Sequence, residues 1–180
     1  MRQRLEAVTA MTIAIGRVAA CVFLMMTLPV VAQESTNNVA TMTDWSVFME
    51  ESPKECWGVS SPRESTATRD GAVVQARRGD ILYFVTFRPG AGAAGEISFT
   101  GGYPFKPGST VKVAIGNDSF DLFIDGEWAW PAEDGPLLAA MKNGQEAVLT
   151  GVSGKGTETK DTFSLRGFTA AMEEAEKRCK

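Results

Sequence analysis

Histidine is absent from this sequence of 180 residues. Its absence excludes serine and cysteine nucleophiles that depend on a histidine base, and it removes the commonest protein ligand of zinc. Carboxylates are left as the ordinary acid–base groups, and four of them crowd one predicted hairpin. Such a cluster is typical of a solvated strand edge, and its spacing does not match a calcium-binding loop. We therefore predict neither a metal nor another cofactor. The four carboxylates are Asp118, Asp121, Asp125 and Glu127.

Basic residues are in the minority, with 18 lysines and arginines against 22 aspartates and glutamates. Removal of residues 1–32 would take away three basic residues and one acid, which leaves a net charge of −6. A surface of this sign repels polyanions. Arg77 and Arg78 form the only basic pair of note, so we predict that nucleic acid is not a partner.

Long apolar runs are confined to the N-terminus. Three arginines precede the run VAACVFLMMTLPVVA (18–32), which is shorter than the roughly 20 residues of a membrane-spanning helix. Val30 and Ala32 supply the small residues that signal peptidase accepts. We predict a signal peptide over 1–32, cleavage after Ala32, and a periplasmic or secreted chain without a transmembrane span. A lipoprotein modified at Cys21 is disfavoured, because most of the apolar run follows that cysteine.

Cysteine is scarce, with three in the whole chain, and Cys21 lies inside the predicted signal peptide. The exported chain keeps Cys56 and Cys179, an even number in a compartment where disulfides persist. We predict that these two residues form a disulfide bond. An intermolecular bond or a redox-active thiol is the alternative, but Cys56 has no C-x-x-C spacing and no cation beside it.

Short runs of β-branched and aromatic residues recur along the rest of the chain, with Gly, Asn and Asp turn signals between them. This spacing predicts an all-β sandwich or barrel whose successive strands pair antiparallel. STVKVAI (109–115) is apolar on one face, whereas ILYFVTF (81–87) is apolar on both and predicts a central strand. Residues 33–44 are polar and predict a flexible lead-in to a domain over 45–180.

Two segments have a helical pattern. EDGPLLAAMKN (133–143) predicts a short helix that stops before Gly144. GFTAAMEEAEKRC (167–179) predicts a C-terminal helix with its apolar residues along one stripe. Cys179, at the end of this helix, would then face inward and meet Cys56.

Three short motifs resemble functional signatures but lack the necessary context. GAGAAG (90–95) matches a dinucleotide fingerprint, yet a strand pattern follows it where a helix is required. VSGKGT (152–157) has glycine where a phosphate-binding loop needs serine or threonine. RGD (78–80) lies between two strand patterns, where a hairpin requires glycine and an acid in any case. We interpret all three as turns.

Aromatic residues provide a candidate contact patch. Trp128 and Trp130 alternate in EWAW and so share one face of a strand. Tyr103 and Phe105 lie between prolines in GGYPFKPG (101–108), which predicts a rigid, exposed loop. Core packing is the first explanation for the two tryptophans, and a contact patch for a protein or glycan is the alternative.

Six stretches of the chain follow a known pattern: TDWSVF, ECWGVSSP, RRGDILYFVTFRPG, FTGGYPFKPGSTV, GEWAWP and GTETKDTFSLRGFTAAMEEAEKRC. Together they resemble the invasion-associated locus B family of exported alphaproteobacterial proteins, over nearly all of the chain from Asp44 to Lys180. The resemblance implies a small immunoglobulin-like β-sandwich in the periplasm or cell envelope. Met49 stands where members carry a cysteine, which sets this chain apart, and the family supplies no catalytic residues.

Two functions from different classes follow from these features. The first is an exported, non-enzymatic cell-envelope module that binds an unknown protein or surface component. The second is a small hydrolase that uses carboxylates such as Asp121 and Glu127. We favour the first, because folds of this type mostly serve as binding scaffolds. A shallow aromatic patch would support the first function, and a cleft with two carboxylates of raised pKa would support the second.

Overall fold

The computed structural model describes residues 37–180, and the predicted signal peptide (1–32) with its cleavage site lies outside them. Neither helix within this range is long and apolar enough to cross a membrane. The elements are β1 (Asn38–Met42), β2 (Trp45–Glu51), β3 (Lys54–Ser60), β4 (Glu64–Arg69), β5 (Ala72–Val73), β6 (Leu82–Arg88), a 3₁₀ turn (Pro89–Ala91), β7 (Ala93–Thr100), β8 (Thr110–Ile115), β9 (Asp118–Asp125), β10 (Trp128–Pro131), α1 (Asp134–Asn143), β11 (Glu146–Val152), β12 (Glu158–Ser164) and α2 (Phe168–Arg178).

All of these strands belong to one antiparallel sheet, in the order β1-β2-β3-β6-β7-β10-β9-β8-β11-β12-β4-β5. The sheet folds over on itself, so that strands far apart in this order face each other. The rings of Tyr83 on β6 and Phe163 on β12 lie 5.4 Å apart, and the Trp45 indole on β2 donates a 3.0 Å hydrogen bond to the Ser164 carbonyl. The predicted fold class, an antiparallel β-sandwich with a short and a C-terminal helix, is confirmed, with hydrogen bonding continuous through all twelve strands.

The strand patterns place the core as predicted. On β8 the buried side chains are those of Val111, Val113 and Ile115, and the residues between them are exposed. β6 lies between β3 and β7, as expected for a central strand that is apolar on both faces. Tyr83 is fully buried on its inner face, whereas Phe84 lies half-buried on its outer face. The outer face of this part of the sheet is therefore also apolar.

β1 corrects the predicted flexible lead-in (33–44). Its residues Asn38–Met42 pair with β2 along the edge of the sheet, so the prediction is wrong for this segment. Gly167 makes the close approach of this hairpin to α2 possible, because a Cβ there would overlap the carbonyl oxygen of Met42. Its φ of +87° also lies in the left-handed region that favours glycine.

Asp44, in the turn after β1, provides a pH-dependent contact. It accepts hydrogen bonds of 2.8 and 2.7 Å from Arg63, and this pairing, with a further contribution from Ser164, lowers the pKa of Asp44 below its ordinary value. A lowered carboxyl pKa adds stability above the unfolded-state pKa, and that stability is lost as the pH falls through the folded-state pKa.

Arg63→Gln is therefore expected to raise the pKa of Asp44 towards its ordinary value, because the principal hydrogen-bond donor is removed. An NMR titration of the Asp44 carboxyl carbon measures the shift. Lys177→Gln, which removes a positive charge from the far, C-terminal end of α2, should leave the titration unchanged. An Asp44 pKa that does not move in Arg63→Gln would contradict this assignment.

α2 packs against the inner face of the first strands. Its buried side chains include Phe168, whose ring lies 4.9 Å from that of Trp45. Cys179, directly after the helix, is bonded to Cys56 on β3, with the two Cα atoms 5.8 Å apart. The predicted disulfide is confirmed, and it anchors the end of α2 to the sheet.

α1 also contacts the inner face. Leu137 and Met141 are fully buried, and Asp134 accepts a 2.8 Å hydrogen bond from the backbone N–H of Ile97 on β7. Burial raises the pKa of Asp134, and this hydrogen bond partly opposes the rise. Because both helices pack inside, neither of them covers the outer face of β6, β7, β10 and β9.

Candidate interaction surface

The loop predicted to expose Tyr103 and Phe105 is part of the core. These residues are only 9% and 3% exposed, and their rings meet edge to face at 5.0 Å. The Phe105 N–H donates to the Gly126 carbonyl at 2.9 Å, and the Lys106 N–H donates to the Val152 carbonyl at 2.8 Å. The loop thus crosses between the β9–β10 turn and the end of β11. The prediction of an exposed patch is wrong for Tyr103 and Phe105.

The Tyr103 hydroxyl lies 2.6 Å from the Thr159 hydroxyl in the interior. Burial raises the pKa of Tyr103, and the hydrogen bond to Thr159 opposes part of that rise. The tyrosine is therefore held as a neutral phenol, and its hydroxyl is the polar partner of a buried threonine.

Tyr103→Phe is expected to lower the free energy of unfolding by about 1–2 kcal/mol, because the Thr159 hydroxyl loses its partner in a buried position. Urea denaturation followed by tryptophan fluorescence measures the change. The double variant Tyr103→Phe/Thr159→Val, which removes both hydroxyls, should recover part of the loss. A single variant as stable as the wild type would show that this contact contributes nothing.

Trp128 and Trp130 share one face of the sheet, as their alternation predicted. This is the outer face, because Ala129 between them is buried, so core packing, the first explanation for these tryptophans, is wrong. With Phe84 and Phe123 they form what we call the outer aromatic cluster. Trp128 and Trp130 are 6.4 Å apart and nearly parallel, Trp130 lies 6.0 Å from Phe123, and Phe84 lies 5.8 Å from Trp128. Phe123 is 53% and Trp128 39% exposed, so large apolar rings face solvent here.

The strand order creates this cluster. β10 pairs with both β9 and β7, and in the first pairing Trp130 lies directly opposite Phe123. β7 separates β10 from β6, and it carries Ser98 between them, whose small side chain leaves room for Phe84 to reach Trp128. Rings from three strands therefore meet on one face of the sheet.

A second ring pair extends the same face towards the edge of the sheet. Phe48 on β2 and Trp57 on β3 lie opposite each other in the strand pairing and stack at 5.7 Å with an interplanar angle of 7°. Val59 on β3 lies opposite Phe84, so an apolar side chain stands between the pair and the cluster. The apolar surface crosses the sheet from β2 to β9.

Charged residues with an excess of acid share this outer face. Arg88 pairs with Glu55 at 3.2 Å and also with Glu96, and Lys112 pairs with Asp121 at 3.1 Å. Asp125, at the end of β9, is a further acid beside Trp128 in the strand pairing. The exposed rings are thus accompanied by four acids and two bases.

The carboxylates proposed for a hydrolase do not form a catalytic pair. Asp121 is exposed and bound to Lys112, while Glu127 lies in the turn at the far end of the β9–β10 hairpin. Asp121 lies about 13 Å from the end of β9, and Glu127 lies beyond that end. Paired carboxylates in glycosidases lie about 5–9.5 Å apart. Residues 37–180 also contain no group of three acidic or cysteine residues that could hold a metal ion.

The chain is thus an all-β sandwich that carries exposed aromatic rings on one sheet face. The family model of the Invasion associated locus B (IalB) protein matches residues 125–176, from the end of β9 into α2. The crystal structure of invasion associated protein B from Bartonella henselae has the same fold, with a TM-score of 0.53 and 17% identity over 76% of this chain and 94% of that chain. No curated protein sequence matches. The resemblance to the IalB family is confirmed, and the matched segment includes Trp128 and Trp130.

Proposed function

We propose that this protein is an exported, non-enzymatic module of the cell envelope that binds another protein through the outer aromatic cluster. The observation that carries the proposal is the exposure of Phe123 and Trp128, 53% and 39%, on a face that neither helix covers. Large aromatic side chains are enriched in the cores of protein interfaces, and tryptophan is enriched among the residues that dominate binding energy.

A protein surface is the occupant that fits this face best. The rings stand on a sheet face that neither helix covers, whereas small ligands are bound in concave sites that bury most of their area. The nearby charges are mainly acidic, namely Glu55, Glu96, Asp121 and Asp125. Complementary charge favours a partner whose own apolar patch is surrounded by lysine and arginine.

Three features support export. The predicted signal peptide provides a route, the Cys56–Cys179 bond suits an oxidising compartment, and the IalB resemblance implies an envelope protein. The separation of Asp121 and Glu127 supports a binding role over the hydrolase that would use these two carboxylates. The structural relative is named for invasion, but host-cell invasion is not part of this proposal.

Site-specific photo-crosslinking in the producing cell tests the proposal. A benzophenone amino acid at Phe123 should give a discrete product with one other protein, identified by mass spectrometry. The surface of that protein should carry an apolar patch surrounded by lysine and arginine. The same probe at Lys160, which is exposed on β12, should not give this product. The proposal would be wrong if the product consists of two copies of this chain. It would also be wrong if the probes at Phe123 and Lys160 give the same products.

The variant Phe123→Ser/Trp128→Ser should abolish the crosslinked product made from a probe at Asp125, while the free energy of unfolding changes by about 1 kcal/mol or less. Val73→Ser is the matched control, because Val73 is 81% exposed on β5 and lies outside the cluster. This control should retain the product. A loss of stability of several kcal/mol in the double variant would instead assign both rings to the core.

A further inference from the structure

A pocket of about 540 Å³ lies where three loops of the sandwich meet. Arg77 and Arg78 of the RRGD segment form one part of its wall, Tyr103 of the GGYPF loop forms another, and Lys155 of the VSGKGT turn forms a third. A volume of this size is typical of small-molecule sites, which span about 300–1,000 Å³. The pocket contains none of the outer aromatic rings, so it is separate from the proposed protein-binding face.

The deep part of the pocket is rigid and electrically balanced. Arg78 donates hydrogen bonds of 2.7 and 2.6 Å to the Asp161 carboxylate and one of 2.8 Å to the Gly101 carbonyl. Its guanidinium lies 5.1 Å from the centroid of the Tyr103 ring. The side chains of Arg78 and Asp161 are only 8% and 1% exposed, so the RGD motif does not offer a free arginine to a receptor.

The outer part of the pocket carries positive charge that the fold does not neutralise. Arg69 donates hydrogen bonds from Nε, at 3.1 Å, and from Nη2 to the hydroxyl of Thr157, which is uncharged. Arg77 and Lys155 make no side-chain hydrogen bond or ion pair with any of residues 37–180. Glu127 is the one acid of the described lining.

Three cations that form no ion pair within the described residues line one pocket, in a chain with 22 acids against 18 bases. Glu127 is the one acid of the described lining that offsets their mutual repulsion. Clefts lined by one sign of charge concentrate ligands of the opposite sign. The arrangement therefore points to an anionic ligand.

We propose that this pocket binds a phosphate group, carried either by a small soluble molecule or by a lipid headgroup. Arg69 and Arg77 present planar guanidinium groups that bind phosphate oxygens in pairs, and Lys155 adds a point charge. The Tyr103 ring and Pro104 supply an apolar wall for the organic part of the ligand. The neutral pair of Arg78 and Asp161 holds this wall in place.

An NMR titration of the wild-type protein with glycerol 3-phosphate, at about 0.15 M salt, is the first test. Saturable shifts should be confined to the signals of Arg69, Arg77 and the turn that carries Lys155. The variant Arg77→Gln/Lys155→Gln should weaken binding at least tenfold. Lys142→Gln/Lys177→Gln removes the same charge from the two helices and should change affinity by less than twofold. An equal loss of affinity in both double variants would mean that binding depends on net charge and not on this pocket, and the proposal would be wrong.

Sedimentation with vesicles of phosphatidylglycerol and of phosphatidylcholine distinguishes the two sources of phosphate. Binding to the first kind of vesicle, lost in Arg77→Gln/Lys155→Gln, supports a lipid headgroup. Binding of glycerol 3-phosphate without vesicle binding supports a soluble ligand. If neither probe binds, the proposal is wrong. Phe123→Ser/Trp128→Ser should leave all of these results unchanged, so failure here leaves the proposed protein-binding face untouched.

Discussion

Asp161→Ala is expected to lower the free energy of unfolding by about 3–5 kcal/mol, because the substitution leaves the charge of Arg78 buried without a partner. Asp161 is fully buried, and it accepts two hydrogen bonds from Arg78 and one of 2.5 Å from Ser65. These three hydrogen bonds from protein side chains satisfy the buried Asp161 carboxylate. Urea denaturation at neutral pH measures the loss.

The double variant Arg78→Met/Asp161→Leu separates the cost of an orphaned charge from the value of the pair. Replacing both partners by apolar residues of similar size is often neutral or stabilising in other proteins. We therefore expect the double variant to be clearly more stable than Asp161→Ala. A double variant as unstable as the single one would mean that the pair itself, with its bonds to Gly101 and Ser65, supplies the stability.

Removal of the disulfide by Cys56→Ser/Cys179→Ser is expected to cost about 2–5 kcal/mol, the usual loss for a native bridge in a small secreted domain. The bond spans 123 residues, so it constrains the unfolded chain over almost the whole domain. Thermal or urea denaturation of the oxidised wild type against the double variant measures the effect.

Two further measurements check that the bond acts within one chain. Peptide mapping without reductant should join the Cys56 peptide to the Cys179 peptide, and the purified protein should be monomeric in denaturing gels without reductant. Wild-type protein treated with reductant should approach the stability of Cys56→Ser/Cys179→Ser. A disulfide-linked dimer, or a double variant as stable as the wild type, would contradict a structural role.

Local periodicity was sufficient to predict most of the fold. The two-residue alternation of β8 and the doubly apolar pattern of β6 correspond directly to the inner and outer faces of the sheet. The helical stripe before Cys179 likewise predicted α2 and its contact with the first strands. These features depend on the spacing of residues within one element, which the sequence displays directly.

The GGYPF loop could not be predicted in the same way. Its glycines and prolines are typical of an exposed turn, yet Tyr103 and Phe105 are buried because the loop pairs with the β9–β10 turn and with β11. Those contacts join segments distant in sequence. β1 was missed for a different reason: a bulge between Asn38 and Ala40 lets Val39, Ala40 and Met42 all pack against the core, so this short strand shows no strict alternation.

The candidate surface was predicted only in part. The alternation of Trp128 and Trp130 placed them on one face, but Phe84 and Phe123 join them through the sheet order, in which β10 lies between β7 and β9. The sequence did carry a signal for Phe84. Because β6 is apolar on both faces, its outer face must either pack against another element or leave apolar side chains exposed. A signal also existed for Phe123, because a two-residue turn at Gly126 and Glu127 pairs Asp125 with Trp128 and so places Phe123 opposite Trp130.

The bond between Cys56 on β3 and Cys179 after α2 also constrains the order in which the domain can close. During synthesis Cys56 is made 123 residues before its partner. The buried contacts of the Trp45 indole also form late, because its hydrogen-bond acceptor Ser164 and the ring of Phe168 both lie near the C-terminus. Covalent closure of this domain therefore requires that α2 has been made, and a chain cut before Cys179 would lack the bond that anchors the end of α2 to β3.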